Sequence, residues 1–147
     1  MLDVIPTPVR SDRRVLAVSL ALFGVAGVAN TAIGSARSAF AVVLAVLGVY
    51  ILAVYARRVD RRTLALRSIL LWVAFLAASI LHVVGPGTIA GFMPGYAEPV
   101  VLTITGLTWA TLLGAGASTA FLGFREYGAG TRTATREESM LEQEYEY

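Results

Sequence analysis

The stretch PVVLTITGLTWATLLGAGASTAFLGF, residues 99–124, contains no acidic or basic side chain. An α-helix rises about 1.5 Å per residue, so this stretch is long enough to cross a hydrocarbon layer about 30 Å thick. A single segment that crosses lipid must satisfy its own backbone hydrogen bonds, which requires it to be helical. Residues 99–124 are therefore predicted to form a transmembrane helix.

Three further stretches of the same kind precede it, at residues 15–33, 38–56 and 69–85. The Gly-Pro-Gly sequence at 85–87 ends the third stretch, because neither residue type continues a helix well. The sequence thus predicts an all-α membrane protein with four transmembrane helices in an antiparallel bundle. This membrane domain takes up residues 1–124 and leaves little chain for a separate soluble domain.

The composition agrees with the bilayer as the solvent for this chain. Of its 147 residues, 56% are hydrophobic and 15% charged, with a mean hydropathy of +0.69, whereas soluble domains carry roughly 25% charged residues. Cysteine is absent and all twelve basic residues are Arg. These absences exclude disulfides, thiolate metal sites and chemistry at a lysine amine. The net charge of +2 gives no reason to expect a nucleic acid partner.

The arginines alternate with the apolar stretches and indicate how the chain is oriented. They are Arg10, Arg13 and Arg14 before the first stretch, Arg57, Arg58, Arg61, Arg62 and Arg67 between the second and third, and Arg125, Arg132 and Arg136 after the fourth. Only Arg37 lies elsewhere. Cytoplasmic loops are enriched in Arg, so both termini are predicted to be cytoplasmic in a multi-pass plasma-membrane protein. The residues that fix this orientation are Arg13, Arg14, Arg57, Arg58, Arg61 and Arg62.

The first stretch admits a second interpretation. Residues 12–16, Asp-Arg-Arg-Val-Leu, resemble a twin-arginine export signal, and residues 34–36 are small, as signal peptidase prefers. Cleavage there would leave three spans and an external amino terminus. We prefer the four-span interpretation because the apolar run is long for a signal.

Two stripes of small residues predict where helices pack closely. Helix association in lipid relies on small side chains that let backbones approach. The stripes are Gly106, Ala110, Gly114 and Ser118 on the fourth stretch, and Ala17, Ala21, Gly24, Gly27 and Thr31 on the first. We expect both to be used within the four-helix bundle, with a dimer interface as the alternative.

Few polar side chains lie within the spans. His82, with Ser79 one turn earlier, and Asn30 in the first span are the candidate ligand residues. A histidine that bonds a neighbouring hydroxyl or carbonyl is the simpler interpretation, and haem, metal or quinone binding at His82 is the alternative. We expect no cofactor, no metal site and no catalytic residue.

Residues 125–147 form a cytoplasmic tail that ends in acidic residues. It is predicted to be disordered or to form a brief surface helix. By elimination, the sequence favours a small non-enzymatic membrane protein, either an accessory or assembly subunit with a protein partner or a homo-oligomer. A solute or ion pathway through an oligomer, along the threonines of the fourth span, and a redox subunit at His82 are the alternatives.

Overall fold

The computed structural model describes residues 8–30, 36–92 and 94–144, and these residues form helices and short connections without a strand. The helices are α1 (Pro8–Ala29), α2 (Ala36–Arg58), α3 (Arg61–Val84), α4 (Pro86–Gly91) and α5 (Ala97–Glu144). The prediction of an all-α chain is confirmed. The short α4 is additional to the four predicted helices, and residues 31–33 of the first predicted span lie outside the described ranges.

Three helices are long and apolar enough to cross a membrane. They are α2, α3 and the part of α5 that covers Ala97–Thr131. α1 differs because four charged residues, Arg10, Asp12, Arg13 and Arg14, lie in its first half. Its described apolar part is residues 15–29, which is shorter than the spans of the other three helices. A membrane location therefore rests on α2, α3 and α5.

Both ends of α3 are formed by residues suited to their positions. Asp60 is the N-cap, because its carboxylate accepts hydrogen bonds from the Thr63 backbone N–H at 3.0 Å and the Thr63 hydroxyl at 2.5 Å. Gly85 follows the last residue with a φ of 93°, a conformation that favours glycine. Its N–H donates to the carbonyls of Leu81 and His82, each at 3.2 Å. The predicted stop at residues 85–87 is confirmed.

α5 is the central helix, since it packs against each of the other four. α1 lies between α2 and α5, and α3 packs on α5. Although only Val59 and Asp60 join α2 to α3, these two helices do not pack along their lengths. The helices therefore follow the spatial order α2, α1, α5, α3, in which α1 and α3 both lie beside α5 without extensive contact with each other.

A tightly packed core holds α1 against α2. Phe23 of α1 and Leu52 of α2 are completely buried, as is Leu64 of α3 in the same cluster. The Phe23 ring covers Gly48, where an added Cβ atom would lie 2.6 Å from the ring. Ser19, also buried, donates a hydrogen bond to the Gly48 carbonyl at 2.8 Å. A glycine at position 48 is thus needed for both the aromatic contact and the helix spacing.

Small residues bring the backbones of α1 and α5 together. A Cβ atom on Gly24 would lie 3.1 Å from the Gly106 carbonyl oxygen and 3.6 Å from the Ala110 Cβ. One turn closer to the end of α1, Gly27 lies directly against the Trp109 side chain. The approach of these two helices therefore depends on residues that have almost no side chain.

The remaining members of the two small-residue stripes have different surroundings. Gly114 is covered by Leu20 of α1, with Leu71 of α3 nearby. Ser118 is buried, and its hydroxyl has no hydrogen-bond partner among the described residues. Ala17 and Ala21 lie on the exposed side of α1. The face of α1 that contacts α5 is thus displaced from Ala17 and Ala21 toward Gly24 and Gly27.

α5 continues as one helix of 48 residues, about 72 Å long at 1.5 Å per residue. Residues 125–144, for which the sequence predicts disorder or a brief surface helix, belong to this helix, and residues 145–147 lie outside the described ranges. Good helix formers after residue 133 favour this outcome. Threonine hydroxyls also bond back to carbonyls four residues earlier, at Thr131, Thr133 and Thr135.

Replacing Gly27 by Ala is expected to destabilise the fold by about 1–3 kcal/mol, because the new methyl group would overlap the Trp109 side chain near its attachment to the backbone. The matched control is Gly116→Ala in α5, where an added Cβ meets nothing within 4 Å. Equilibrium unfolding in mixed micelles with increasing dodecyl sulfate measures both. Equal stability of the two variants would contradict the close packing at Gly27.

Candidate functional site

His82 lies near the end of α3 with a largely exposed side chain. Its Nδ1 atom is 3.4 Å from the Ala78 carbonyl oxygen and 3.3 Å from the Thr108 hydroxyl oxygen of α5. The Thr108 hydroxyl donates to the Ile104 carbonyl at 2.8 Å, so it accepts from the histidine. Both neighbours are then acceptors, which suits the tautomer that carries its proton on Nδ1.

The other two candidate ligand residues do not join His82. Ser79 donates its hydroxyl to the carbonyl four residues earlier in α3, at 2.8 Å. Asn30 is exposed after the end of α1, beside a cavity of about 190 Å³ next to Trp109. Because Trp109 and Thr108 are consecutive in α5, they point about 100° apart. Asn30 and His82 therefore lie on different sides of α5. Within the described ranges, no three His, Cys, Asp or Glu side chains are placed to hold a metal ion.

The threonines of α5 use their hydroxyls mainly within the helix. Before Arg125, four of them donate to a carbonyl one turn earlier: Thr103, Thr108, Thr111 and Thr119. These bonds satisfy the hydroxyl proton without a partner from outside, as is common for threonine in helices. The described side chains thus direct the hydroxyls back to the backbone.

Thr119 also links α5 to α3. Its oxygen accepts from the Trp72 Nε1–H at 3.0 Å and lies 2.8 Å from the Ser68 hydroxyl oxygen. Since the Thr119 proton is donated to the Ala115 carbonyl, Ser68 is the donor in this pair. One hydroxyl oxygen therefore satisfies a buried serine and an indole N–H at the same time.

The end of the bundle where α1 begins, α2 ends and α3 begins is called here the arginine end. Arg125 of α5 donates from Nη1 to the carbonyls of Ala56 and Val59, each at 3.0 Å. Carbonyls at the end of a helix have no partner within it, so the guanidinium caps α2. Arg61, the first residue of α3, forms a salt bridge with Glu126. α5 thus holds both sides of the turn between α2 and α3.

A cavity of about 780 Å³ opens at the arginine end between α1 and α3. It exists because both helices pack on α5 without extensive contact with each other. We call it the arginine-end cavity. Its walls are Asp12, Arg13, Leu16, Ala17 and Leu20 of α1, Tyr55 and Arg58 of α2, the connecting Val59 and Asp60, and Thr63 and Arg67 of α3.

The two carboxylates of this cavity differ in their surroundings. Both oxygens of Asp60 accept hydrogen bonds from Thr63. These bonds hold the pKa of Asp60 below its ordinary value of 3.8, because they favour the charged carboxylate. Asp60 is therefore committed to capping α3, and Asp12 is the carboxylate that remains at the mouth of the cavity.

The guanidinium groups of the cavity outnumber these carboxylates. Arg13 and Arg58 have no ion-pair partner among the described residues. Arg67 lies deeper, beside the hydroxyl of the buried Tyr55. Three guanidinium groups therefore line the arginine-end cavity, with that of Arg67 deeper than those of Arg13 and Arg58. Apolar side chains of α1 form the opposite wall.

Sequence reasoning did not find this cavity. It treated Arg13 and Arg58 as residues that fix the orientation, and it placed Arg67 in the connection between two spans. The structure begins α3 at Arg61, so Arg67 is a half-buried residue inside the helix. One feature of the sequence could have indicated the cavity. Arg67 stands alone, well past Arg62, in an otherwise apolar run, and a charge in such a run needs polar neighbours.

Over the ranges that the structure describes, the fold and these sites define an all-helical protein in which three helices are long and apolar enough to cross a membrane. Comparisons with protein families, curated proteins and solved structures found no match to this chain. Function is therefore argued from the geometry of the chain itself.

Replacing Thr119 by Val is expected to cost about 1 kcal/mol of stability, because it leaves the buried Ser68 hydroxyl and the Trp72 N–H without their acceptor. Thr103→Val is the matched control, since the exposed Thr103 bonds only to the Pro99 carbonyl of its own helix. Unfolding in dodecyl sulfate compares the two. A neutral Thr119→Val variant would contradict the link between α3 and α5.

Proposed function

We propose that this chain is a multi-pass plasma-membrane protein that crosses the bilayer four times, with both termini in the cytoplasm. The lengths and apolar character of α2, α3 and α5 support three crossings. The fourth is assigned to α1, whose residues 15–29 are apolar apart from Ser19. α1 packs against both α2 and α5, so it shares their environment.

The position of the arginines supports this orientation. The hydrogen bonds of Arg125 and the salt bridge of Arg61 with Glu126 bring α2, α3 and α5 to the same level at the arginine end. α1 begins at this end too, because Asp12 and Arg13 line a cavity shared with the turn between α2 and α3. Arginine clusters of this kind favour the cytoplasmic side.

Single cysteines in this cysteine-free chain test the topology. Four exposed positions are used: Ser11→Cys, Ala36→Cys, Thr88→Cys and Thr133→Cys. A membrane-impermeant maleimide is expected to label the variants at 36 and 88 in intact cells, and those at 11 and 133 only after permeabilisation. Labelling of position 11 in intact cells would remove the crossing by α1, and the fully inverted pattern would contradict the orientation.

We infer that the chain works by assembly, as a non-enzymatic accessory or assembly subunit of a larger membrane complex or as a homo-oligomer. The observation that supports this role is Tyr50 of α2. Its side chain is 63% exposed although it lies inside a helix apolar enough to span the membrane. The surrounding face of α2 is apolar and exposed, with Val43, Val46 and Leu47.

The Tyr50 hydroxyl has no hydrogen-bond partner among the described residues. A hydroxyl in hydrocarbon without a partner costs free energy, and buried tyrosine hydroxyls usually find one. A second protein surface that packs on Val43, Val46 and Leu47 would supply such a partner. The face around Tyr50 is accordingly assigned to a neighbouring subunit rather than to lipid.

A photo-reactive benzoylphenylalanine at position 50 is expected to cross-link to protein in native membranes. The matched control is the same residue at Ile69 of α3. Ile69 is 59% exposed and lies as far along its helix from Arg61 as Tyr50 lies from Arg58. Both probes therefore sit at the same depth and on helices of similar length.

Mass spectrometry of the adducts identifies the partner. An adduct of twice the mass of this chain indicates a homo-oligomer, and an adduct with another protein indicates an accessory subunit. Cross-linking to lipid alone at position 50, or equal protein adducts at positions 50 and 69, would contradict an interface at this face of α2.

A further inference from the structure

We propose that the arginine-end cavity binds the phosphate of an anionic phospholipid, through Arg13 and Arg58, with one acyl chain along Leu16 and Leu20. The inference goes beyond the assembly role and does not depend on it. It needs only that the chain sits in a bilayer with its arginine end at one membrane surface. The ligand would be a bound lipid of the surrounding leaflet.

The size of the cavity suits a head group rather than a single ion. Its volume of about 780 Å³ is within the range of small-molecule sites, roughly 300–1,000 Å³. From Arg13 to Leu20 the wall of α1 rises about 10 Å at 1.5 Å per residue. A head group at the mouth would therefore have its first acyl carbons beside the apolar part of the same wall.

The charges in the cavity favour an anion. The three guanidinium groups of Arg13, Arg58 and Arg67 exceed the two carboxylates of Asp12 and Asp60, and both Asp60 oxygens already accept hydrogen bonds from Thr63. Arg13 and Arg58 have no ion-pair partner in the described part of the chain. Charge-assisted hydrogen bonds from guanidinium groups to phosphate oxygens are short and strong, and basic pockets between membrane helices bind anionic head groups.

Arg67 adds a cation at a greater depth. It lies inside α3, where a charged side chain in hydrocarbon is costly unless it has polar neighbours. Its described neighbour is the Tyr55 hydroxyl, which is neutral. A phosphate in the cavity would compensate Arg67 as well as Arg13 and Arg58, whereas Asp12 at the mouth offsets only part of the positive charge.

The helix arrangement gives a lipid a path into the cavity. α1 and α3 lie side by side on α5 without extensive contact, and the residues that line the space between them come from α1, α2, α3 and the connection between α2 and α3, with none from α5. Leu20 and Leu71 close this space where both reach Gly114. An acyl chain is thus guided along α1 and stopped from passing between the helices toward α5.

The test uses the full chain, delipidated in a mild detergent and titrated with phosphatidylglycerol while native mass spectrometry counts bound lipids. The cavity variant is Arg13→Gln with Arg58→Gln. Its matched control is Arg14→Gln with Arg57→Gln, which removes the same charge from the neighbouring positions, both exposed and neither in the cavity. The two variants keep equal numbers of arginines on each side of the membrane.

The cavity variant is expected to bind phosphatidylglycerol at least about tenfold more weakly, because it loses two charge-assisted contacts. The control is expected to bind as the unmodified chain does. Equal weakening in both variants would overturn the proposal, because it would mean diffuse attraction to surface charge. Equally tight binding of phosphatidylcholine with the same acyl chains would overturn the preference for an anion. Displacement by an equal concentration of soluble glycerol phosphate would overturn a lipid as the ligand.

A second pair of variants leaves every charge in place and tests the apolar wall. Ala17→Phe fills the cavity from α1, and Ala21→Phe places the same ring one turn further along, outside it; both alanines are exposed. Reduced phosphatidylglycerol binding by Ala17→Phe alone supports the site even if the arginine variants fold poorly. Unchanged binding by both variants would overturn it.

Discussion

The close approach of α1 to α5 at Gly24 and Gly106 is the constraint on which the rest of the structure depends. Lipid supplies no hydrophobic force between helices, so close packing of small residues must hold them together. Once α1 lies against α5, α2 packs on the far side of α1, and α5 is the long helix against which α3 packs most extensively. The gap that remains between α1 and α3 is the arginine-end cavity.

The same helix arrangement explains why Arg125 of α5 caps α2, the helix on the far side of α1. α2 and α3 are joined by two residues but diverge, so the carbonyls at the end of α2 receive no help from α3. Arg125 reaches them from α5 and caps them. Arginine residues at this end therefore differ in kind: Arg125 completes a helix end, Arg61 forms a salt bridge, and Arg13 and Arg58 face a cavity.

The sequence predicted the helical class and three of the membrane-spanning helices, because long apolar runs and the end of α3 at Gly85 are local signals. It did not predict α4 or the continuation of α5 through residues 125–144, where weak helix preference and turn residues compete. The sequence also could not reveal the cavity. Arg67 and Arg13 line it together only because α1 and α3 both pack on α5. The histidine at 82 was found from its cost in lipid, but its contact with Thr108 depends on the register between α3 and α5.

The unbroken α5 has a mechanical consequence. α5 is continuous over 48 residues, so a tilt of its axis within the bundle also moves its far end. The part beyond Arg125 is about 30 Å long, so a tilt of about 10° within the bundle would swing its far end by roughly 5 Å, by simple lever geometry. A change in the packing between α1 and α5 that tilted α5 would thus produce its largest displacement at the far end of this helix.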